Sequence, residues 1–240
     1  MLRIKLGSRV FVPRLVPTLL LLPALAGLVA LGQWQLGRAA EKRALEAAFA
    51  RGDDAPAALP AAPDAAARYL RVDARGHYLA TRQFLLDNIT QGGVVGYRVL
   101  TPLECDDGVL LLVDRGWVAA GANRARLPDI AVGDGEREVT GRLDLPPQAG
   151  IRLAATAESG WPRRMSFPRT EALAAALGRP VYPRLLLLDP AAPDGYLRVW
   201  RPGGMPPERH LGYAVQWFAL ALTLLIGCIV VQLEKPGTSP

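Results

Sequence analysis

The sequence ERHLGYAVQWF, residues 208–218, leads from a charged segment into an apolar one and decides how the fold is organised. No charged residue occurs from Leu211 to Leu233, a run of 23 positions, and about 20 apolar residues are enough to cross the core of a bilayer. The run therefore predicts a transmembrane helix over residues 211–233. His210, Tyr213 and Trp217 stand at positions i, i+3 and i+7, so they share one face of this helix at the water boundary.

That polar face has two interpretations. Tyr and Trp commonly anchor helices at membrane surfaces, and a histidine at a helix start is often only solvated. An ionisable residue beside a membrane span is also a candidate functional residue, with a partner to be found. Spacing alone leaves both interpretations open for His210.

A second apolar run lies near the N-terminus. Residues 1–14 contain four basic and no acidic side chains, and residues 15–37 form another uncharged run of 23. The run is longer than a signal-peptide core and ends in QWQL, a poor cleavage site, so we expect a retained transmembrane helix. Basic flanks stay in the cytoplasm, which places residues 1–14 and the tail 234–240 there and the intervening domain outside. Without an amphipathic, Ser-rich leader, we expect a bacterial inner membrane and a periplasmic main domain.

Two glutamines lie inside the apolar runs. Gln216 needs a hydrogen-bond partner, because an unpaired buried amide costs about 2–7 kcal/mol. Gln33 lies at a similar depth in the first run. We therefore predict that the two spans pack side by side with these amides hydrogen-bonded.

The first helix should continue beyond the membrane. Residues 38–67 are predicted to form a helical extension rich in Ala, Glu and basic residues, followed by an Ala- and Pro-rich linker. Trp34, Arg38 and Lys42 repeat every four residues on one helical face. Such a face commonly holds lipid headgroups, and the alternative is that it grips an anionic ligand.

Residues 68–210 are predicted to form a β-rich extracytoplasmic domain. Asp106-Asp107-Gly108 is a strong hairpin signal, because Asp-Gly supplies the positive φ of tight turns. A short helix is predicted over Glu171–Leu177, with Thr170 as its N-cap. The predicted strands, bounded by Gly, Asp or Pro, are residues 68–73, 78–88, 97–104, 109–118, 137–145, 184–188 and 196–200. The expected fold class is membrane-anchored α+β: two transmembrane helices flanking a mostly antiparallel β domain with one short helix.

The sequence of the middle domain shows no recognisable catalytic, metal-binding or nucleic-acid-binding motif. The net charge of +6 comes with no clustered basic stripe, so nucleic acid is not an expected partner. Cys105 and Cys228 lie in different parts of the predicted fold and suggest neither a disulfide nor a zinc site. His77 is expected in a solvated turn, and residues 114–117 are expected to cap a strand end. No reaction class can be assigned, so we expect a protein that is not an enzyme.

Five motifs, in this order along the chain, resemble the surfeit-locus-one family of cytochrome c oxidase assembly factors. They are QWQL with Arg38 and Lys42 (residues 33–42), FLLDN (84–88), GYRVLTPL (96–103), VDRGWV (113–118) and HLGYAVQWF (210–218). Each motif is weak alone, and their shared order makes the resemblance specific.

The resemblance implies an assembly factor that binds haem a and assists its insertion into the catalytic subunit of cytochrome c oxidase. The family's proposed contact to haem iron, at the start of the second span, corresponds to His210. We expect Tyr213 and Trp217 to stack on the ring, with Trp34 and Arg38 at the outer face and either Arg38 or Lys42 facing the haem carboxylates. Expected partners are the catalytic subunit, haem a synthase and membrane lipid.

Two alternatives remain at this point. One is a structural membrane chaperone that shields the oxidase subunit during assembly without binding haem. The other is a membrane enzyme that modifies haem, which two spans and one boundary histidine support least.

Overall fold

The computed structural model describes residues 4–51, 55–62, 66–147, 160–166 and 168–234. The chain divides into two compact units, residues 1–47 with 202–240 and residues 48–201. Parts of the predicted linker and all but the first residue of the predicted tail lie outside the described residues. In chain order the elements are β1 (Ile4–Leu6), β2 (Arg9–Phe11), α1 (Leu15–Ala50), β3 (Ala57–Ala58), β4 (Arg71–Tyr78), β5 (Phe84–Gln91), β6 (Val94–Cys105), β7 (Leu110–Ala119), β8 (Glu136–Asp144), β9 (Arg163–Met165), α2 (Thr170–Leu177), β10 (Leu185–Leu188), α3 (Pro207–Val231) and β11 (Leu233–Glu234).

The two long helices match the two apolar runs. α1 has 36 residues and α3 has 25, and by length and composition both can cross a membrane. Pro207 lies in the first turn of α3, where its fixed φ suits helix initiation and its missing N–H breaks no hydrogen bond. α1 continues beyond its apolar part to Ala50, as its helix-forming composition predicts. The predicted fold class, two membrane helices flanking a mostly antiparallel β domain with a short helix, is confirmed.

A small sheet ties the two ends of the first unit together. β2 pairs antiparallel with both β1 and β11. Beside it, the buried side chain of Gln232 accepts a 2.6 Å hydrogen bond from the backbone N–H of Arg14 and donates to the carbonyl of Cys228 at 3.1 Å. The sequence did not predict this sheet, because strands of two or three residues are too short to show a two-residue period.

The second unit is built on a closed barrel. Its sheet has the order β3-β4-β8-β10-β7-β6-β5-β9, and a further pairing of β4 with β6 closes five strands, β4-β8-β10-β7-β6, into a ring. Every pairing within this ring is antiparallel except that of β10 with β7. Alternate residues of all five strands meet inside and form the main core, which contains Val72, Ala74, Leu103, Cys105, Leu111, Val113, Val139, Leu143, Leu186 and Leu188.

A second core lies between the sheet and α2. Leu173 of α2 is fully buried in a cluster with Phe84, Leu112 and Leu185. α2 ends at Gly178, whose φ of 70° allows the left-handed C-cap. Burial of these side chains explains why a helix of only eight residues is stable here.

The hairpin prediction is confirmed. β6 and β7 pair antiparallel on either side of Asp106-Asp107-Gly108, and Gly108 has a φ of 82°. The backbone N–H of Gly108 donates to the carbonyl of Cys105 at 2.8 Å and closes the turn.

Three strand predictions were wrong in extent, the first being 68–73, which starts three residues before β4 and stops five residues before its end. The predicted strand 78–88 merges the last residue of β4 with the first part of β5, although the chain turns between them. The predicted strand 196–200 is reduced to one bridge between Leu197 and Trp117. The segments 78–88 and 196–200 contain several apolar and aromatic residues, but composition alone does not show where a strand ends, and Leu197 and Val199 are about half exposed.

Three local predictions were also wrong. His77 is exposed but lies within β4, opposite Glu104 and Glu136, rather than in a turn. Ala57–Ala58, within the predicted linker, pairs with β4. Thr170 is the first residue of α2, and the preceding Arg169 caps the helix without a side-chain hydrogen bond.

The polar residues expected at a strand end lie instead in the middle of β7. Asp114 is fully buried, forms an ion pair with Arg98 and accepts a 3.0 Å hydrogen bond from the N–H of Gly116. Burial raises the pKa of Asp114, and the Arg98 guanidinium and the Gly116 N–H act in the opposite direction. Val113 points into the barrel core and Asp114, the next residue, points to the opposite face of the sheet, so this buried ion pair lies within a strand rather than at a turn.

Candidate functional site

The helices of the first unit meet along small residues. The buried positions of α1 are Gly32, Gln35 and Ala39, spaced i, i+3 and i+7. The buried positions of α3 are Pro207, His210, Ala214 and Ala221. Small side chains let helix backbones approach closely in a membrane. A Cβ added at Gly32 would lie 2.6 Å from the ring of Phe218, so a larger residue here would force the ring or the helix to move.

The only hydrogen bond between side chains across this stripe, among the residues that the structure describes, joins His210 to Gln35. His210 Nδ1 lies 2.7 Å from Gln35 Oε1, and both residues are buried, with exposed fractions of 7% and 9%. An amide oxygen can only accept, so the imidazole donates from Nδ1. The other ring nitrogen, Nε2, has no hydrogen bond to any described residue and keeps its lone pair.

This arrangement corrects the predicted glutamine pair. Gln33 and Gln216 are both exposed on their helices, and no hydrogen bond between them occurs within the described ranges. The spans do pack side by side in this unit, but the amide that finds a partner is Gln35 and the partner is a histidine. The prediction failed because depth along a helix does not fix the direction in which each side chain points around it.

The basic residues predicted to grip an anion already have partners. Arg38 forms an ion pair with Glu41 on the same helix. Lys42 donates a 2.8 Å hydrogen bond from Nζ to the carbonyl of Gly203, just ahead of α3. Lys42 therefore ties α1 to the segment that leads into α3, close to the His210 end of the pair.

The predicted aromatic residues lie outside the packed stripe. Trp34 and Tyr213 are 57% and 42% exposed, and Trp217 is half-buried. The structure therefore brings His210 together with Gln35, while Trp34, Tyr213 and Trp217 occupy the outer surfaces of the two helices. In a bilayer, these surfaces would face lipid or a bound apolar molecule.

Buried polar groups of the β unit hydrogen-bond to other side chains and to the backbone. Arg115 is buried and donates to Gln83 Oε1 at 3.1 Å and to the carbonyl of Ile130 at 3.2 Å. Burial raises the pKa of the Cys105 thiol to about 11, so it stays protonated and unreactive near neutral pH. Across the described parts of the chain, no three His, Cys, Asp or Glu side chains are grouped to hold a metal ion.

A family model described as the SURF1 family matches residues 22–222 of the 240. The chain belongs to the SURF1 family. The predicted family resemblance is therefore confirmed, and the family is one of cytochrome c oxidase assembly factors, which implies interaction with oxidase subunits. No curated protein matches the chain.

The matched region of this SURF1-family chain begins within α1 and ends within α3, so it includes both Gln35 and His210. Sequence reasoning selected His210 but missed Gln35. A usable signal was present, because Gln35 lies three residues after Gly32 and four before Ala39, on the small-residue stripe that favours helix contact.

Proposed function

We propose that this protein assists cytochrome c oxidase assembly by binding haem a through His210 and helping its insertion into the catalytic subunit. The proposal rests mainly on the hydrogen bonding of the two ring nitrogens of His210. Its Nδ1 is bonded to an amide oxygen and its Nε2 has no described partner, the arrangement typical of histidines that bind metals.

The donor set suits haem iron. A neutral imidazole is a common axial ligand of haem, and the porphyrin supplies four further nitrogen ligands, so one histidine is sufficient. When bound, haem a supplies the metal centre, and this chain supplies the axial nitrogen and an apolar surrounding. We propose that Trp34, Tyr213 and Trp217, which lie on the outer surfaces of the two helices, would contact the ring.

The cations have a smaller role in this proposal than the sequence suggested. Arg38 would reach a haem carboxylate only by leaving Glu41, and Lys42 only by leaving the carbonyl of Gly203. Exposed ion pairs contribute about 0–1 kcal/mol to stability. Arg38 would therefore lose little free energy on exchanging Glu41 for a haem carboxylate.

The proposed setting is the bacterial inner membrane. The basic N-terminal segment supports a cytoplasmic location for both termini, with the β domain in the periplasm. There the β domain would dock on the nascent catalytic subunit, haem a synthase would supply the haem, and lipid would surround the spans. A reporter fused after Gly121 would test this topology, and a cytoplasmic signal would overturn it.

A structural chaperone that binds no haem is the second candidate, and one observation favours it. His210 is almost completely buried and already bonded to Gln35, as expected for a residue that only joins two helices. Under this hypothesis the helix pair presents the β domain and shields the oxidase subunit.

One experiment separates the two candidates. The full-length protein is purified from cells that make haem a, and its Soret spectrum is compared with those of His210→Ala and His77→Ala. His77 is the only other histidine of the chain and lies exposed on β4, so it is a matched control. Haem binding predicts that only His210→Ala loses the band. A band absent from the wild type, or equal in all three proteins, would overturn the proposal.

A further inference from the structure

We infer that Gln35 is a positioning residue: it holds His210 in the tautomer with the proton on Nδ1 and so presents the Nε2 lone pair. The role that this inference assigns to Gln35 rests on the proposed function, whereas the contact between Gln35 and His210 is independent of it. The two side chains belong to different helices and meet at 2.7 Å within the buried stripe.

The contact decides which nitrogen carries the proton. In a neutral imidazole one nitrogen is a donor and the other an acceptor, and the hydrogen bond made by one determines the state of the other. Gln35 directs its oxygen at Nδ1, so Nδ1–H donates and Nε2 remains unprotonated. A free histidine side chain favours the opposite tautomer, so the choice of state depends on the Gln35 oxygen.

The surrounding packing holds this geometry. Ala39 and Ala214 are 1% exposed on the two helices, and the ring of Phe218 packs so closely on Gly32 that an added Cβ would lie 2.6 Å from it. Rotation of the imidazole or the amide is therefore restricted by close neighbours. Loss of such a hydrogen-bond partner of a metal-binding histidine usually lowers metal affinity by about 10–100-fold.

Gln33 shows that the contact with His210 depends on the position of the glutamine on α1 and not only on its residue type. It is also a glutamine on α1, two residues away, but it is exposed and faces away from the buried stripe. Gln33→Leu is therefore a matched control for Gln35→Leu, since both changes remove one amide at nearly the same depth. Gln35→Glu retains an acceptor oxygen at the critical position.

The first measurement needs no haem. The full-length protein, labelled with ¹⁵N-histidine, is studied by NMR in nanodiscs, where His77→Ala assigns the two side chains. We expect His210 to show the Nδ1–H tautomer in the wild type, in Gln33→Leu and in Gln35→Glu, and to shift towards Nε2–H in Gln35→Leu. An Nε2–H signal in the wild type, or an unchanged tautomer in Gln35→Leu, would overturn the inference.

The second measurement uses haem a itself. Titration should show haem affinity about 10–100-fold lower in Gln35→Leu than in wild type or Gln33→Leu. Resonance Raman spectra should show a higher iron–histidine stretching frequency in Gln35→Glu, because a carboxylate is the stronger acceptor. If all variants have equal haem affinities and equal iron–histidine stretching frequencies while binding still depends on His210, the role of Gln35 is refuted and the proposed function is not. Absence of His210-dependent binding in the wild type would instead refute the proposed function.

Discussion

Replacement of Gly32 by alanine should weaken the contact between α1 and α3. An alanine Cβ would lie 2.6, 2.7 and 3.0 Å from three ring atoms of Phe218, whereas ordinary carbon contacts lie near 3.5–4.0 Å. The ring or the helix must therefore move by about 1 Å. Overpacking of this kind costs about 1–3 kcal/mol, and alanine regains about 1 kcal/mol through its higher helix propensity.

The expected net loss for Gly32→Ala is therefore about 0–2 kcal/mol in the free energy of unfolding. Gly27→Ala is the matched control, because it lies on the same helix and its Cβ would meet nothing within 4 Å. That variant should be more stable by about 1 kcal/mol, because it gains helix propensity without a clash. A change of Phe218 to leucine shortens the clashing side chain, so it should reduce the cost of Gly32→Ala.

The assay is an SDS titration of the full-length protein in mixed micelles, followed by tryptophan fluorescence. A double-mutant cycle of Gly32→Ala with Phe218→Leu measures the interaction energy between the side chains at positions 32 and 218. The reasoning fails if Gly32→Ala and Gly27→Ala have equal effects, or if the cycle shows a coupling energy of zero. Either result would mean that the two helices do not approach through Gly32.

The remaining predictions concern the β unit. Asp114→Asn should lower the free energy of unfolding by about 3–5 kcal/mol, because it leaves the Arg98 charge unpaired in the interior. Urea titration of the full chain checks this against Glu138→Gln, which breaks the exposed pair with Arg75 and should cost less than about 1 kcal/mol. Equal losses would contradict the buried-pair argument. Burial raises the pKa of Tyr78 from 10.0 to about 12. The folded state thus holds this proton more tightly than the unfolded state, and stability should fall by up to about 3 kcal/mol between pH 10 and 12. Tyr78→Phe should reduce that slope in urea titrations at stepped pH, and an unchanged slope would exclude Tyr78 as its source.

Local patterns predicted much of this fold. A run of 23 uncharged residues is enough to specify each long helix, because transfer of apolar side chains out of water does not depend on a particular neighbour. The Asp106-Asp107-Gly108 turn needs only the positive φ that glycine adopts readily. Five motifs in the same order were enough to identify the family.

Of the two residues that form the candidate site, the sequence allowed only one to be predicted. His210 stands out as a titratable residue at the start of an apolar helix, so the sequence alone could select it. The choice between Gln33 and Gln35 depends on a rotation of about 200° around α1, and both positions fit a rough estimate of depth. Only the packed helix pair shows which amide faces inward.

Taken by itself, the sequence determined the two apolar helices, the β-rich character of the segment between them, the boundary histidine and the family. The tertiary structure alone decided that β4 pairs with β6 to close the barrel, that β10 runs parallel to β7, and that Gln35 bonds to His210. The physical reason is the range of the forces involved. Burial periodicity and turn geometry act over a few residues and can be recognised locally. Strand pairing and contacts between helices join residues as far apart as Val10 and Glu234, and they depend on how the whole core packs.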